Sequence, residues 1–287
     1  MIPAPDTDDP AVEAAVPEQV AAYVCTVGGA RPCRLGACVG YRSDDHLVLV
    51  GYPLHDPRDE IALGAAVAQA LELPGLRRIT VIGPARPPQA PAGAPEARDE
   101  HVGLAVPPPA VRQKLRSLLR RAAREVTVAP GRELGPDHLD LVGRYLKERT
   151  FDDGTRYIFG RIGDYLRASA TARVVSARLG DGRLAAFAVG EFASRHTGFF
   201  MFSFRDPHLA PPGSADLLLA HLLEEARGRG QTRMNLGLGV NAGIAFFKRK
   251  WGAEPFLPYV EVSWEVAAPP LMTRLGRLLG IGRRRKP

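Results

Sequence analysis

Apolar residues recur with two different spacings along the first hundred positions, and their alternation predicts an α/β unit. Leu35–Val39 and Leu47–Tyr52 read as short strands separated by the turn-forming Ser43-Asp44-Asp45. Between Pro57 and Leu71, the residues Ile61, Ala65, Ala68 and Leu71 fall at helical spacing, so a helix with those four facing a core is expected. Arg78–Ile82, bounded by Pro74-Gly75 and Gly83-Pro84, is a further strand. Pro84–Pro95, which also holds Pro87, Pro88 and Pro91, must be a loop, because proline donates no ladder bond and breaks helices. His101–Val106 reads as a strand that Pro107-Pro108-Pro109 ends. Residues 1–17, rich in Pro and Asp, are expected to be disordered or loosely packed.

From Val111 to Val126 the apolar positions Val111, Leu115, Leu118, Leu119 and Ala122 share one helix face, and the rest is basic. The second half repeats the alternation more clearly. Asp137–Thr150, with Asp137 as the cap, and Gly160–Ala170 are helical by spacing. Ala172–Leu179 and Leu184–Phe192 are strands joined through Gly180-Asp181-Gly182-Arg183, whose Asp-Gly pair signals a hairpin; Thr197–Phe204 follows. Ser214 is expected to cap the amphipathic helix Ala215–Arg227, which Gly228 and Gly230 end. Thr232–Leu238 reads as a buried strand, Ala242–Lys250 as a short helix and Phe256–Trp264 as a last strand.

Composition narrows the partners more than the fold. The net charge is +7, which suits a polyanionic partner such as RNA, an anionic lipid surface or a phosphorylated cofactor. No run of some 18 apolar residues predicts a transmembrane helix, and the acidic start (Asp6, Asp8, Asp9) is unlike a signal peptide, so a cytoplasmic location is expected. Cys25, Cys33 and Cys38 match no zinc spacing and read as small hydrophobes. No metal site is expected.

The order helix, helix, three strands, helix, strand, helix, strand resembles the GNAT acyltransferase fold. Asn235-Leu-Gly followed by Phe247-Lys248-x-Lys250-Trp251-Gly252 looks like the C-terminal domain of phosphatidylglycerol lysyltransferases. The basic run Lys114-Leu-Arg-Ser-Leu-Leu-Arg-Arg-Ala-Ala-Arg between two α/β halves is similar to Fem-type peptidyltransferases, which are tandem GNAT domains. The resemblance implies an α/β (α+β) chain with two GNAT-like domains, each a mixed, mostly antiparallel central sheet flanked by helices. It divides into a flexible 1–17, a degenerate N-terminal half at 18–108 and a basic linker helix at 109–130. A C-terminal domain at 131–266 and a basic amphipathic tail at 267–287 complete it.

In that fold an activated acyl donor lies where two central strands splay, here Thr197–Phe204 and Thr232–Leu238. Backbone N–H groups polarise its carbonyl and the acceptor attacks directly in a ternary complex. The resemblance makes Phe202, Ser203, Arg205, Ser214, Asn235, Gly237 and Lys250 the expected donor-binding residues. Many acetyltransferases carry an Asn and, four residues before a Gly, a Tyr acting as general acid. Asn241 matches the first, and Lys248 stands four before Gly252, where a cation can stabilise a leaving oxygen or hold a phosphate. Glu191, with His196 nearby, is the expected base. Trp251 and Phe247 read as core.

The CoA signature Arg/Gln-x-x-Gly-x-Gly/Ala is replaced by His208-Leu-Ala-Pro-Pro-Gly-Ser, whose prolines remove amide donors a pyrophosphate would use. The sequence thus points to an acyltransferase or aminoacyltransferase, with acyl-CoA or aminoacyl-tRNA as co-substrate and no tightly bound cofactor. The acceptor is an amine or a hydroxyl. The alternative is a catalytically inactive GNAT-like module binding RNA, anionic lipid or a metabolite. Arg112–Arg124 and Arg274–Lys286 are the expected contacts to tRNA or to an anionic membrane, not to DNA, and the second of these makes the inner membrane face a further location.

Overall fold

In the computed structural model, which describes residues 9–239 and 242–266, eleven strands make one continuous sheet. They are β1 (Arg31–Leu35), β2 (Cys38–Ser43), β3 (His46–Val50), β4 (Arg78–Gly83), β5 (Glu96–Ala105), β6 (Val126–Gly131), β7 (Arg173–Leu179), β8 (Leu184–Glu191), β9 (Thr197–Arg205), β10 (Arg233–Asn235) and β11 (Glu254–Glu265). Their order is β1-β2-β3-β4-β11-β5-β10-β9-β8-β7-β6. Only β3–β4 and β9–β10 run parallel among the described residues, so the sheet is mixed and mostly antiparallel, as the sequence implies.

That order contains a strand exchange. β5 leaves the N-terminal half to pair with β10, while β11 returns from the C-terminal half to pair with β4, and the two lie antiparallel to each other at the centre. Each half therefore completes the other's sheet.

The helices are α1 (Ala21–Gly28), α2 (Glu60–Leu71), α3 (Gln113–Glu125), α4 (Pro136–Lys147), α5 (Asp153–Gly160), α6 (Ile162–Ala168), α7 (Ser214–Gly228) and α8 (Ala242–Lys250). α3 and α7 bury Leu115, Ala122, Leu218, Leu222 and Ala226 on one sheet face, where Phe247 of α8 and Trp251, just after it, join them. The other face of the C-terminal half is covered by α4, α6 and Val27 of α1 against Phe187, Phe202 and Phe204. No helix among the described residues is long and apolar enough to cross a membrane.

Several expectations change for local reasons. Residues 9–17 are not loose: two 3-10 turns, Pro10–Glu13 and Pro17–Gln19, bury Ala11, Val12, Ala14 and Val16 as a strap over the sheet. Gln19 Nε2 ties that strap to Tyr52 O at 2.7 Å. α2 starts at Glu60, capped by Asp59, so its buried face is Leu63, Ala66, Val67 and Ala70; Ile61 is 87% exposed. β6 was hidden inside the basic linker. Its Pro130 is tolerated because β6 is an edge strand. Gly135, not Asp137, occupies the cap position of α4, and its N–H donates to His138 Nδ1 at 3.1 Å. The expected helix Gly160–Ala170 begins at Ile162, after α5, which Asp152 caps.

Candidate functional site

β10 pairs with β9 only from Arg233↔Thr197 to Asn235↔Phe199, yet β9 continues to Arg205. Along Phe200–Arg205, β9 pairs with β8 alone among the described residues, and its other edge faces a gap. The gap opens because the chain beyond Asn235 follows β5 instead. Leu236 N–H donates to Val102 O at 2.8 Å and Val102 N–H to Gly237 O at 3.0 Å. Gly237 sits at φ 76°, a turn that only glycine makes without strain, and its N–H donates to Asn235 Oδ1 at 2.8 Å. Gly239 N–H then donates to the Asp99 carboxylate at 3.1 Å. A register shift opposite Val189/Gly190 leaves Met201 unpaired, a bulge at the edge of the gap.

The corresponding parallel pair of the N-terminal half stays closed. β3 and β4 hold five paired positions, after which Gly51 N–H still donates to Ile82 O at 2.6 Å. A Cβ on Gly51 would lie 2.3 Å from Leu63 Cδ1, so this side is filled.

α8 carries Lys248 to the far wall of the open gap. Its Nζ donates to Gly237 O at 2.7 Å and to Leu238 O at 2.6 Å, and the residue is 4% exposed. Burial pushes its pKa down to about 8, with the Asp99 carboxylate opposing the shift. Phe247, one residue earlier, stacks on Phe200 of β9 with centroids 6.2 Å apart and closes one side of the gap. Lys248 and Gly237 are thus brought together as one wall.

The remaining expected residues are dispersed. Ser203 and Arg205 are exposed along the free stretch of β9, while Phe202 is buried on the opposite face, beside Phe159 and Tyr23. Asn235 points to the strap, where Nδ2 donates to Ala15 O at 3.1 Å. Lys250 is engaged elsewhere: its Nζ pairs with Asp216 Oδ2 at 2.6 Å, and Trp251 Nε1 donates to Asp216 Oδ1 at 2.9 Å. Asn241 and the tail 267–287 lie outside the described residues.

Ser214 is the first residue of α7 rather than its cap. Gly213 holds the cap position at φ 92°, and Ser214 Oγ donates to Pro211 O at 2.7 Å. A buried carboxylate, Asp216, already occupies the first turn, where an anionic ligand would otherwise gain from the helix dipole. Glu191 is 0% exposed and accepts from Tyr165 Oη at 2.6 Å, Ser169 Oγ at 2.7 Å, Phe192 N–H at 2.8 Å and Thr171 Oγ1. Its oxygens are engaged in holding β8 against α6. His196 lies in the turn before β9, where its carbonyl accepts from Thr232 N–H at 3.0 Å.

A parallel pair that splays, with a bulge on the first strand and a helix after each, is an architecture with known counterparts. Residues 110–249, just under half of the chain, match the family model described as an acetyltransferase (GNAT) domain.

Among solved structures, the chain is similar to the C-terminal domain of a protein described as a lysylphosphatidylglycerol synthetase from Agrobacterium fabrum. Identity is 17%, with 82% of this chain and 84% of that chain covered at a TM-score of 0.58. L-PGS from Bacillus licheniformis is 16% identical over 94% of this chain and 98% of that one, at a TM-score of 0.52. FemX is 11% identical over 84% and 86%, also at 0.52. These likenesses establish the fold. No curated protein matches the sequence.

The gap is also bordered by two residues of the N-terminal half, both on β5. Asp99 and His101 stand two apart on β5, on the same face. Asp99 binds Gly239 N–H, and His101, 1% exposed, has its pKa lowered to about 4, first by burial and then by the charge of Lys248. The strand exchange delivers them, and no periodicity in the sequence reports an exchange.

Proposed function

We propose that this chain is an acyltransferase or aminoacyltransferase whose donor lies in the gap between β9 and the Leu236–Gly239 wall. The observation that carries the reading is the one-sided stretch Phe200–Arg205 of β9, facing a wall pinned by Lys248. Strand N–H groups directed into such a gap hydrogen-bond the donor's acyl carbonyl and stabilise the oxyanion that forms when the acceptor attacks. No covalent enzyme intermediate is needed. Lys248, already at the wall, gives its proton to the leaving oxygen or sulfur.

The start of α7 supports an aminoacyl ester donor over a CoA thioester. Pro211 and Pro212 lack the N–H groups a pyrophosphate would use, and Asp216, held by Lys250 and Trp251, already fills the first turn. α3 supports an RNA-borne donor. Arg112, Lys114, Arg116, Arg120, Arg121 and Arg124 are all exposed, and Arg121 is paired with Glu125. Leu118 of the same helix packs against Gly213, so this basic surface begins beside the donor helix.

A thermal-shift comparison of aminoacyl-tRNA with acetyl-CoA tests the choice. Stabilisation by the charged tRNA but not by the uncharged one supports the reading. Stabilisation by acetyl-CoA alone reverses the donor assignment, and equal stabilisation by charged and uncharged tRNA favours a binding module without transfer.

A further inference from the structure

Lys248 is pinned to a segment whose two ends are held by different halves of the chain. Among the described residues its Nζ donates to Gly237 O and Leu238 O alone, so one of its three N–H groups is left for a leaving atom. The near end of the segment is tied to β10 by the bond from Gly237 N–H to Asn235 Oδ1. The far end is tied to the N-terminal half. Gly239 N–H lies 3.1 Å from each carboxylate oxygen of Asp99 on β5, a charge-assisted bond shared between the two. The approach is close, since a Cβ on Gly239 would lie 2.9 Å from Asp99 Oδ1.

Asp99 is itself fixed. Its Oδ1 also accepts Glu100 N–H at 2.7 Å, and its backbone sits opposite Tyr259 in the β5–β11 register at the centre of the sheet. The same carboxylate meets an electrostatic need. A buried ammonium held by carbonyl oxygens alone is costly unless a countercharge stands near it. Burial pushes the Lys248 pKa down, and the charge of Asp99 opposes that shift without a direct bond between the two. Other charged neighbours do not take its place. His101, on the same face of β5, is neutral at neutral pH because burial lowers its pKa to about 4. On α8 itself, Arg249 is exposed and Lys250 is paired with Asp216.

We propose that Asp99 is a positioning residue for transfer, clamping the end of the Leu236–Gly239 wall and supplying the countercharge to the Lys248 ammonium. The assignment deepens the transferase reading above and rests on it. Asp99 neither gives nor takes a proton in the reaction. It acts through Lys248, keeping that side chain charged at neutral pH and the wall carbonyls in place to aim it. The N-terminal half is then a working part of the site, because the strand exchange delivers its carboxylate to a lysine of the C-terminal half.

The test follows the Lys248 side-chain resonances of the full chain by NMR as pH is raised, without donor. Lys248→Met assigns them, and Lys114, Lys147, Lys250 and Lys286 are the only other lysines. In Asp99→Asn, which keeps the shape but removes the charge, Lys248 should lose its proton at lower pH than in the wild type; Asp99→Glu should restore much of the difference. In transfer assays Asp99→Asn should lower kcat about tenfold or more at neutral pH and move the alkaline limb of the pH–rate profile the same way, with the donor KM changed far less. An unmoved Lys248 titration, or a moved titration with unchanged kcat and alkaline limb, overturns the proposal. If Asp99→Asn fails to fold, Asp99→Ser, which also removes the charge, carries the comparison. The titration needs no donor. A wild type without transfer, in which Asp99→Asn still moves the Lys248 titration, therefore refutes the transferase reading and leaves the hold of Asp99 on Lys248 standing.

Discussion

Lys248 Nζ lies 2.7 Å from Gly237 O, and the same oxygen accepts Val102 N–H at 3.0 Å. The wall of the gap and the group assigned to protonate the leaving atom are therefore one unit. Lys248→Met keeps the bulk and the Val102 bond but removes the proton. Transfer should fall by about 10²–10⁴-fold, the usual range for a general acid, with donor affinity changed far less. Because the protonated lysine is the active form and its pKa is lowered to about 8, the wild-type rate should decline above that pH. A pH–rate profile checks this, and the variant should lack the alkaline limb.

Glu191 gives the opposite expectation. Glu191→Gln disturbs a buried acceptor of four hydrogen bonds and should destabilise the fold by about 1–3 kcal/mol. Single-turnover rates of the folded fraction should stay within a few-fold of wild type. A large rate loss without a change in melting temperature would return Glu191 to the role of base.

Two buried groups, Glu18 and His101, act in opposite directions on the pH dependence of stability. Burial raises Glu18 from 4.5 to about 7, so the folded chain keeps a proton that the unfolded chain releases; this contribution is full below about 4.5 and is lost as pH rises through 7. Burial lowers His101 from 6.5 to about 4, so its contribution is full above 6.5 and is lost as pH falls through 4. Urea unfolding should show Glu18→Gln gaining stability with rising pH over this window and His101→Phe losing it. Parallel profiles in the two variants would contradict the assignment.

Much of the fold was legible because hydrophobic spacing reports local structure. The hairpin at Asp181-Gly182, α8 and the loop Pro84–Pro95 follow from residues whose backbone preferences act at short range. The strand exchange was not legible, since β5 and β11 alternate alike whichever partner they take. Lys248 and Gly237 stand in a stretch that the sequence marks by its motif. Asp99 and His101 reach the gap only through the exchange. Pro10 and Pro17, which look like signs of disorder, instead start two 3-10 turns with apolar residues beneath them.

The exposed face of α3 predicts a salt-dependent affinity. Reversing Arg116, Arg120 and Arg124 to Glu should lower the slope of log affinity against log salt for tRNA by about three or more. These side chains are exposed and have no ion-pair partner among the described residues, so the melting temperature should hold. Fluorescence anisotropy at several salt concentrations measures the slope. An unchanged slope would remove α3 from the RNA contact.

Amide hydrogen exchange with a non-hydrolysable aminoacyl-RNA mimic tests most directly whether the β9 gap is the donor site. Protection is expected at Phe200–Arg205 and Leu236–Gly239, above that produced by the same RNA without its aminoacyl group. Protection confined to α3, with those two segments unchanged, would contradict it.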